Sequence, residues 1–589
     1  MKTQEKGMET VVKLMFRLLP VQILLFMVGA VNGLVSSFFA SNFIGANAMG
    51  AVGLYGPVDT LINAIRTLLA GGSAILCGKY MGRNDQEKVR NVFTLNMLLS
   101  AAVGVLFTVL LLVAGTLNLT GFFTRDEAVR PLFNAYLNGQ AVGILPLVMG
   151  NQLPVYLSLE NRQNLTMTAS LIYIGVNIAL NFLFVQVLRM EAFGLALASA
   201  LGLWVFFGVQ AVYFLPGKSK IRLEWKQISW KESTEILRTG FPGAAGSGYQ
   251  TARGLIVNKL LVRFVGSVGI SAFATANNLL SIFWAIPAGM QAVSRLMISI
   301  SAGEEDLETL EDVMRNMFRR FVPIMCCISA LLILCAEPFT RLFYRDSSDP
   351  VYMMTVWGFR ILPLCMPLSI ICMHFTCYGQ AMGQNGFVNF LALIDGVVCV
   401  AVFSAILIRP LGINGVYVAN VLNGICCFLV IIRYAWMKKK RFPCRVRDLM
   451  VVPEGFGVEA DARIDITVQN MDEVLKVSRN VTDFCKRRGI DGRRAYMAGL
   501  CLEEMAGNIV AHGFTKDSKK HLIDIRVVHK KDLLLRIRDD CVPFNPKERN
   551  ELTNGPDRFR NMGIKMVYKA ARDVKYQSVL GMNVLTIRI

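Results

Sequence analysis

The chain has 589 residues, of which 54% are hydrophobic, with a formal net charge of +20 and a mean hydropathy of +0.46. This composition is too apolar for a soluble protein, while the charged C-terminal part excludes a protein that lies wholly in the membrane. Because basic residues in membrane proteins chiefly mark cytoplasmic loops, the positive charge does not predict nucleic acid as a partner.

Twelve apolar stretches are long enough to cross a membrane, since the hydrocarbon core needs about 20 mostly apolar residues per helix. The first six are residues 14–40, 51–77, 92–117, 133–158, 165–188 and 193–215. The second six are residues 240–261, 269–300, 321–336, 353–378, 387–408 and 416–436. We therefore predict an α-helical membrane protein with twelve transmembrane helices in two homologous six-helix halves.

Basic residues between the spans predict the orientation of the chain. They cluster at 79–90 after the second span and at 218–238 after the sixth, which assigns both connectors to the cytoplasm. An even number of helices then returns the C-terminus to the side of the N-terminus. We predict a multi-pass protein of a bacterial-type cytoplasmic (inner) membrane with both termini in the cytoplasm.

The two halves repeat each other at an offset of 221 residues, as from 43 to 264. Residues 42–46 resemble 263–267, and at the same offset residues 81–85 meet 302–306, each ending the second helix of its half. A constant offset favours internal duplication over chance similarity of apolar sequence. Two halves of equal orientation with a cavity between them suit alternating access.

Short motifs in these halves resemble the multidrug and toxic compound extrusion (MATE) family. They are a Gly-x-x-Ala-type stretch at 45–51, the Gly-x-x-Asp turn at 82–85 and the Gly-Phe-Pro at 240–242. The resemblance implies a secondary-active exporter (antiporter) of organic cations or amphiphilic compounds, coupled to H⁺ or Na⁺.

The acidic residues with which many members of this family bind the coupling ion are replaced here. The first-helix position is Ser36, and the fifth-helix Asn-x-x-x-Asp pattern becomes Asn177 and Asn181. Two carboxylates remain inside spans, Asp59 and Asp395, and each costs about 2.5–3.5 kcal/mol at a helix centre. We therefore predict that ion coupling or substrate binding involves these two carboxylates and the two amides. The alternative is that Asp59 only pairs with an arginine two turns away, and that Asp395 lies near a helix end.

Fourteen cysteines are a large number for such a chain. They lie mostly in apolar spans, as in the adjacent pairs 326–327 and 426–427, and no paired CxxC spacing occurs. The sequence therefore argues against a disulfide framework or a zinc site.

A basic linker and a soluble domain follow the last span. The linker at 438–460 acts as a topogenic stop signal or attracts anionic membrane lipid. Beyond it, Asn470 with Glu473 predicts the start of a helix that Gly489 ends. The other predicted elements are strands at 463–468, 521–528, 533–538 and 584–589 and helices at 493–512 and 563–571. We predict an α/β sandwich and divide the chain into residues 1–220, 221–437, 438–460 and 461–589.

The second of these helices places Glu504, Asn508 and His512 on one face, four residues apart. A carboxylate and an amide oxygen one turn apart suit Mg²⁺, which takes few protein ligands and retains water. Taken alone, a Glu and an Asn on a helix more often form a solvated face.

Two later motifs, at 538–546 and 561–567, follow a strand and open a helix. Together with the Glu504 helix they resemble the GHKL (HATPase) ATP-binding domain, most closely that of anti-sigma-factor serine kinases. The resemblance implies that Asn508 ligates Mg²⁺ and that Glu504 is the base or positions water. It also implies that Asp539 recognises the adenine amino group and that Gly563 lets backbone amides approach phosphate. The chain departs from the pattern at two glycine positions, which hold Cys541 and Asn561.

The leading hypothesis is a MATE-like exporter that binds ATP and Mg²⁺ for regulation or signalling rather than as a motor, because the Gly-x-x-x-x-Gly-Lys-Ser/Thr loop is absent. Two alternatives stay open: a membrane receptor that controls a serine kinase or anti-sigma partner switch, and a flippase for a lipid-linked precursor. The C-terminal domain is accordingly an ATP-dependent serine kinase, an ATPase or only a sensor. Expected partners are an amphiphilic or cationic small molecule, membrane lipid and a soluble regulatory protein.

Overall fold

The protein is described from a computed structural model, which covers residues 2–122, 126–215, 219–225, 228–344, 346–515, 521–530, 532–548 and 562–589. Asn561, one of the two departures from the ATPase motif, lies outside these residues. Helices make up nearly all of the chain as far as Lys439, and every strand of the described chain follows Ala462.

The first half is built from α-helices that join into long apolar segments. They are α1 (Lys2–Phe39), α2 (Ala46–Leu54), α3 (Gly56–Gly82), α4 (Gln86–Thr116), α5 (Arg130–Gly150), α6 (Leu153–Leu159), α7 (Gln163–Asn181) and α8 (Glu191–Ala211). Short π or 3₁₀ turns lie at Ala40–Ile44, Leu119–Phe122, Phe182–Val187 and Val212–Phe214.

The second half has the same construction. Its helices are α9 (Lys231–Phe264), α10 (Ser267–Gly303), α11 (Leu307–Asn316), α12 (Val322–Leu334), α13 (Ala336–Arg341), α14 (Pro350–Ile361), α15 (Met366–Ala381), α16 (Asn385–Leu393), α17 (Cys399–Leu411) and α18 (Ile413–Lys439). The π and 3₁₀ turns lie at Met317–Phe321, Leu362–Cys365 and Ile394–Val398.

Eleven helical segments of the described chain are long and apolar enough to cross a membrane. The remaining predicted span, residues 240–261 and seventh in chain order, lies within α9, a helix of 34 residues. Polar residues such as Gln250, Thr251 and Arg253 lower the apolarity of α9 below that of the other segments. This helix is less apolar than the other spans and packs against α3.

The duplication found in the sequence is repeated in the backbone geometry. Asp85 caps α4 and Asp306 caps α11, and each side chain accepts a hydrogen bond from the amide three residues on, at 3.2 Å and 3.1 Å. The residues before them, Asn84 and Glu305, have positive φ angles of 57° and 53°. In both loops a residue with a positive φ angle precedes an aspartate that caps the next helix. The two loops are therefore equivalent parts of the two halves.

The halves are in close contact where α3 and α10 end. A Cβ on Gly82 would overlap the carbonyl oxygen of Ile300, and a Cβ on Gly303 would overlap the carbonyl oxygen of Lys79. These four residues correspond in pairs between the halves, so the contact is reciprocal about a pseudo-twofold axis. We call this end of the bundle the docking side, because the C-terminal domain lies against it.

The C-terminal domain follows a short helix, α19 (Val446–Leu449), in the linker. Its elements are β1 (Arg463–Val468), α20 (Met471–Arg487), α21 (Gly492–Asn508), β2 (Ile523–His529), β3 (Leu533–Asp539), α22 (Met562–Ala570), β4 (Asp573–Val579) and β5 (Met582–Arg588). The strands form one antiparallel sheet in the order β1-β2-β3-β5-β4. Apolar side chains of the helices and of one sheet face form a common core.

The sequence predicted most elements of this domain within a few residues, but it missed β4. This strand carries polar residues such as Lys575, Gln577 and Ser578, so it lacks the apolar alternation of a strand over a core. It is stabilised instead by pairing with β5. The predicted start of α20 is confirmed, because the Asn470 side chain accepts a hydrogen bond from the Glu473 amide at 2.9 Å.

Candidate functional site

The predicted nucleotide residues lie where α21 meets α22. Glu504 and Asn508 are half-buried and one turn apart at the end of α21. Gly563, in the first turn of α22, lies directly against the Glu504 carboxylate, and a Cβ there would overlap Oε2. Only a residue without a side chain fits, so the backbone of the first turn of α22 faces the carboxylate. The amides of a first helical turn are free to bind phosphate.

His512, which the sequence places on the same face as Glu504 and Asn508, is exposed instead. The reason is a π-helical turn at Ile509–Gly513 directly after α21. A π turn holds more residues than an α turn, so it breaks the four-residue register. The carboxylate and the amide therefore remain as the candidate oxygen ligands on α21.

Asp539 ends β3 and is only 5% exposed. Its Oδ1 accepts hydrogen bonds from Asn583 Nδ2 at 2.8 Å and from the Cys541 amide at 3.0 Å. Burial raises the pKa of the Asp539 carboxyl, and these hydrogen bonds partly oppose the rise. The carboxylate is therefore held in a fixed orientation in a site that largely excludes water, as recognition of an adenine ring requires.

Cys541 is accommodated without disturbing this turn. Its side chain is buried against Gly513, where a Cβ would lie 3.1 Å from Sγ. Its amide bonds Asp539, and its carbonyl accepts from Asn583 at 3.0 Å. The glycine at 513 leaves the space that the cysteine fills, so this departure leaves the Asp539 turn intact.

These residues fit Mg-ATP by their chemistry. Asn508 and Glu504 offer hard oxygen atoms of the kind that Mg²⁺ prefers, the first turn of α22 offers amides for phosphate, and Asp539 offers a buried acceptor for an amino group. When bound, the nucleotide supplies a phosphoryl group and the ion neutralises its charge. Glu504 stands beside that position as the candidate base.

Asp59 lies in the first turn of α3, at the end of the helix far from the docking side, and is exposed. Arg66, two turns further on, donates to Asn63 Oδ1 at 2.6 Å. The arginine thus has an amide partner besides the carboxylate proposed as its pair. Asp59 therefore stays a candidate for ion coupling or substrate binding.

Asn177 and Asn181 meet inside the first half. Asn181 Nδ2 donates to Asn177 Oδ1 at 3.1 Å, and Asn177 Nδ2 donates to Ser199 Oγ at 3.2 Å. Within the described part of the chain, the buried Oδ1 of Asn181 has no hydrogen-bond partner. A buried oxygen without a donor suits a small cation, so the pair remains a candidate ion site.

Asp395 lies inside the eleventh predicted span, in the π turn Ile394–Val398, and not near the end of that span. Asn423 of α18 donates to its Oδ1 at 2.8 Å. The carboxylate thus faces neighbouring helices of the second half, as expected for a charged group in a span.

The sheet face that the helices of the domain leave uncovered lies against the helical bundle, a contact that we did not predict from the sequence. On β2 and β3, Arg526, Arg536 and Arg538 point away from the helices, as alternation along a strand requires. Arg536 lies 3.4 Å from Glu304, which also pairs with Arg538, and Arg526 pairs with Asp306. The side chains of Glu304 and Asp306 are each 3% exposed, so these ion pairs are buried.

Arg526 and Arg536 stand directly opposite each other on adjacent strands. Like charges in that position are destabilising unless they are compensated. Burial raises the pKa of Asp306, but attraction to Arg526 and hydrogen bonds from Thr309 lower it overall, so the carboxylate stays charged. The acids of the helical bundle thus compensate a basic patch to which the sheet itself supplies one acid, Asp465, at 3.6 Å from Arg526.

The same domain also touches the first half. Gln577 of β4 donates to the Met81 carbonyl at 2.7 Å and accepts from Gln86 at 2.9 Å. In the turn after β4, the Leu580 amide donates to the Leu159 carbonyl at 3.0 Å. The domain therefore bridges the equivalent loops of the two halves, and the signal that could have revealed this was the acidic run 304–308 opposite alternating arginines.

Comparison with known proteins finds relatives for both the helical part and the C-terminal domain of the chain. Residues 22–183 and 242–406 match the family model MatE, and residues 468–589 match the model described as histidine kinase-like ATPase domain. A probable multidrug resistance protein NorM of Halalkalibacterium halodurans is 24% identical over 355 residues, which are 58% of this chain and 75% of the relative. The multidrug export protein MepA of Staphylococcus haemolyticus is 18% identical over 407 residues, 68% of this chain and 88% of the relative.

Solved structures share the fold. "Crystal structure of MATE in complex with MaL6" gives a TM-score of 0.67 at 23% identity and covers 72% of this chain and 97% of that chain. "Outward-facing conformation of a multidrug resistance MATE family transporter of the MOP superfamily" gives 0.67 at 22% identity, covering 74% and 96%. The predicted fold class, a multi-pass helical transporter followed by a sheet-containing ATPase domain, is confirmed.

Proposed function

The chain belongs to the MatE family, and from this premise we propose a secondary-active exporter (antiporter) of cationic or amphiphilic compounds that its own ATP-binding domain holds closed on the cytoplasmic side. The contact that carries the proposal is the docking of one sheet face on loops of both halves. We call this set of contacts the clamp: Arg526, Arg536, Arg538 and Gln577 with Met81, Gln86, Glu304 and Asp306.

The clamp acts on the loops that must separate when the docking side opens. Alternating access moves one half against the other about a central site. A domain that binds the loop after α3 through Gln577 and the loop after α10 through Arg536 and Arg538 favours the arrangement in which these loops lie together. We assign the docking side to the cytoplasm, in agreement with the basic connectors of the sequence.

A single strand, β3, connects the proposed nucleotide site to the clamp. Asp539, the proposed adenine residue, directly follows Arg538 on β3, and the two side chains point to opposite sheet faces. Ordering of β3 by nucleotide on one face therefore changes the position of the arginine on the other. This supports regulation of the transporter by bound ATP, with Mg²⁺ held by Asn508.

The substitution Gly303→Ala tests whether the close contact between α3 and α10 holds the docking side closed. The new Cβ overlaps the Lys79 carbonyl, so we expect the halves to separate on the docking side and the maximal transport rate to fall roughly tenfold, since overpacking costs about 1–3 kcal/mol. The distance between spin labels at the exposed positions 83 and 305 of the two loops reports the separation. Gly254→Ala on α9 is the matched control, because a Cβ there meets nothing within 4 Å. An unchanged label distance in Gly303→Ala contradicts a closed docking side.

The carboxylates in the spans provide a second test. Asp59→Asn and Asp395→Asn keep side-chain volume and remove charge, so we expect at least one of them to lose the dependence of efflux on an imposed H⁺ or Na⁺ gradient. Asn177→Ala and Asn181→Ala examine the buried amide pair in the same assay. Transport by purified protein in vesicles, measured with each gradient separately, identifies the coupling ion. Retained gradient dependence in all four variants removes these residues from the mechanism.

Complete absence of transport, together with a change in ATP binding when an amphiphile is added, would favour the receptor alternative. The clamp serves that function equally well, because coupling between two sites is reciprocal. A soluble regulatory protein would then act on the helical face of the ATPase domain, where Leu475 of α20 and Tyr496 of α21 are exposed.

A further inference from the structure

Three helical segments of the second half converge on Asp395. Cys372 comes from α15, Cys427 from α18 and Asp395 from the π turn between α16 and α17, and their sulfur and carboxylate oxygen atoms all lie within 4.8 Å of one another. Cys427 Sγ is 3.7 Å from Asp395 Oδ1. Cys372 is 5% exposed and Cys427 is fully buried, so the group lies inside the half and not on its surface.

A fourth polar group completes the cluster. Asn423, one turn before Cys427 on α18, donates to Asp395 Oδ1, and its own Oδ1 lies 3.9 Å from Cys427 Sγ. The orientation of an amide is assigned from its hydrogen bonds, so a rotated Asn423 presents its oxygen to the same point. Two thiols, a carboxylate and an amide therefore surround one small volume.

The π turn that presents Asp395 is held in place by α9. A Cβ on the next residue, Gly396, would meet Tyr249 Cβ, so the turn packs tightly against that helix. Single π turns within α-helices occur frequently at functional sites, because the extra residue redirects one side chain. Here the redirected side chain is a carboxylate that meets two thiols.

We propose that Cys372, Asp395 and Cys427 bind a thiophilic divalent cation of the zinc and cadmium class. In tetrahedral sites such ions lie about 2.3 Å from sulfur and about 2.0–2.2 Å from oxygen, which places the ligand atoms about 3.5 Å apart, close to the separation of Cys427 and Asp395. Thiolates select such ions over Na⁺ and Mg²⁺, which prefer oxygen. Binding releases the two thiol protons to solvent.

A bound ion also accounts for the energetics of the cluster. A carboxylate inside a span is costly, and a dipositive ion beside it compensates the charge. The fourth position falls to Asn423 or to water. The spacing of cysteines in the sequence does not predict this site, because its ligands come from three separate helical segments and not from a CxxC pair.

The test uses the full-length protein, purified in detergent and fully reduced, and titrated with Co²⁺ and with Cd²⁺. We expect thiolate-to-metal charge-transfer absorption and tetrahedral Co²⁺ bands that saturate at about one ion per chain. Cys372→Ser and Cys427→Ser should each lower the charge-transfer signal, the double variant should lose it, and Asp395→Asn should weaken affinity by about tenfold or more. Cys326→Ser and Cys327→Ser are matched controls on α12, where both thiols are exposed, and should bind as the unaltered protein does.

A measurement on the unaltered protein avoids dependence on variants that fail to fold. X-ray absorption at the cadmium edge of the reduced protein loaded with one Cd²⁺ per chain should show two sulfur ligands together with oxygen ligands. Absence of charge-transfer absorption in the reduced protein overturns the proposal, as do equal signals in all variants. A Cys372–Cys427 disulfide in freshly purified protein, detected by mass spectrometry, also overturns it. None of these readings requires transport, so failure of the exporter proposal is distinguishable from failure of the metal site.

Discussion

Replacing Glu304 with glutamine is expected to release the ATPase domain from the second half of the transporter. The Glu304 side chain is 3% exposed and lies between Arg536 and Arg538. Burial lowers the pKa of each arginine to about 10, so both stay charged at neutral pH. Asp306 stays 3.6 Å from Arg538, but loss of Glu304 removes the acid that pairs with the buried Arg536, and breaking a buried ion pair typically costs about 3–5 kcal/mol. Such a loss shifts the docking equilibrium roughly a hundredfold or more.

The release is measured by hydrogen exchange of β2 and β3 in the full-length protein. We expect faster exchange on the docking face and, in transport assays, loss of any dependence on nucleotide. Glu305→Gln is the matched control, since this neighbouring acid pairs with Lys530 at the surface, where ion pairs contribute about 0–1 kcal/mol. Equal exchange in Glu304→Gln and the unaltered protein would falsify the clamp.

Asn508→Ala and Glu504→Ala are expected to separate binding from turnover. Asn508→Ala removes a proposed Mg²⁺ ligand, so ATP affinity in the presence of Mg²⁺ should fall by about tenfold or more, while Mg²⁺-independent binding persists. Glu504→Ala should bind Mg-ATP normally and lose any ATP hydrolysis or phosphotransfer by a factor of about 10²–10⁴, because a base acts on the reaction and not on affinity.

Calorimetric titration of the full-length protein with ATP, with and without Mg²⁺, measures the first effect, and phosphate release or phosphorylation of a serine partner measures the second. Asp539→Asn keeps the shape of the buried turn but changes its hydrogen-bond acceptor. It should therefore weaken the binding of ATP and leave the binding of inorganic phosphate unchanged. Normal ATP affinity in Asp539→Asn would show that the adenine assignment is wrong. No binding at millimolar ATP in the unaltered protein would leave the domain as a scaffold.

The amino-acid sequence determined the features that depend on neighbours along the chain. The length of the apolar stretches predicted the membrane spans, and the two similar loops predicted the duplication. Those loops are local features, because Asp85 and Asp306 cap their helices through contacts with residues three positions away. The cap at Asn470 and the pair Glu504 and Asn508 are likewise local. Such features follow from hydropathy, helix period and capping, which act over a few residues.

The tertiary structure alone decided which distant residues meet. Local pattern does not specify how helices rotate and pack, so it did not reveal that Cys372 and Cys427 reach Asp395, or that Glu304 lies between Arg536 and Arg538. The strand β4 was missed for the same reason, because pairing with β5 stabilises it and its own sequence does not. Contacts across hundreds of residues depend on the packing of the whole chain, and both the clamp and the thiol–carboxylate cluster consist of such contacts.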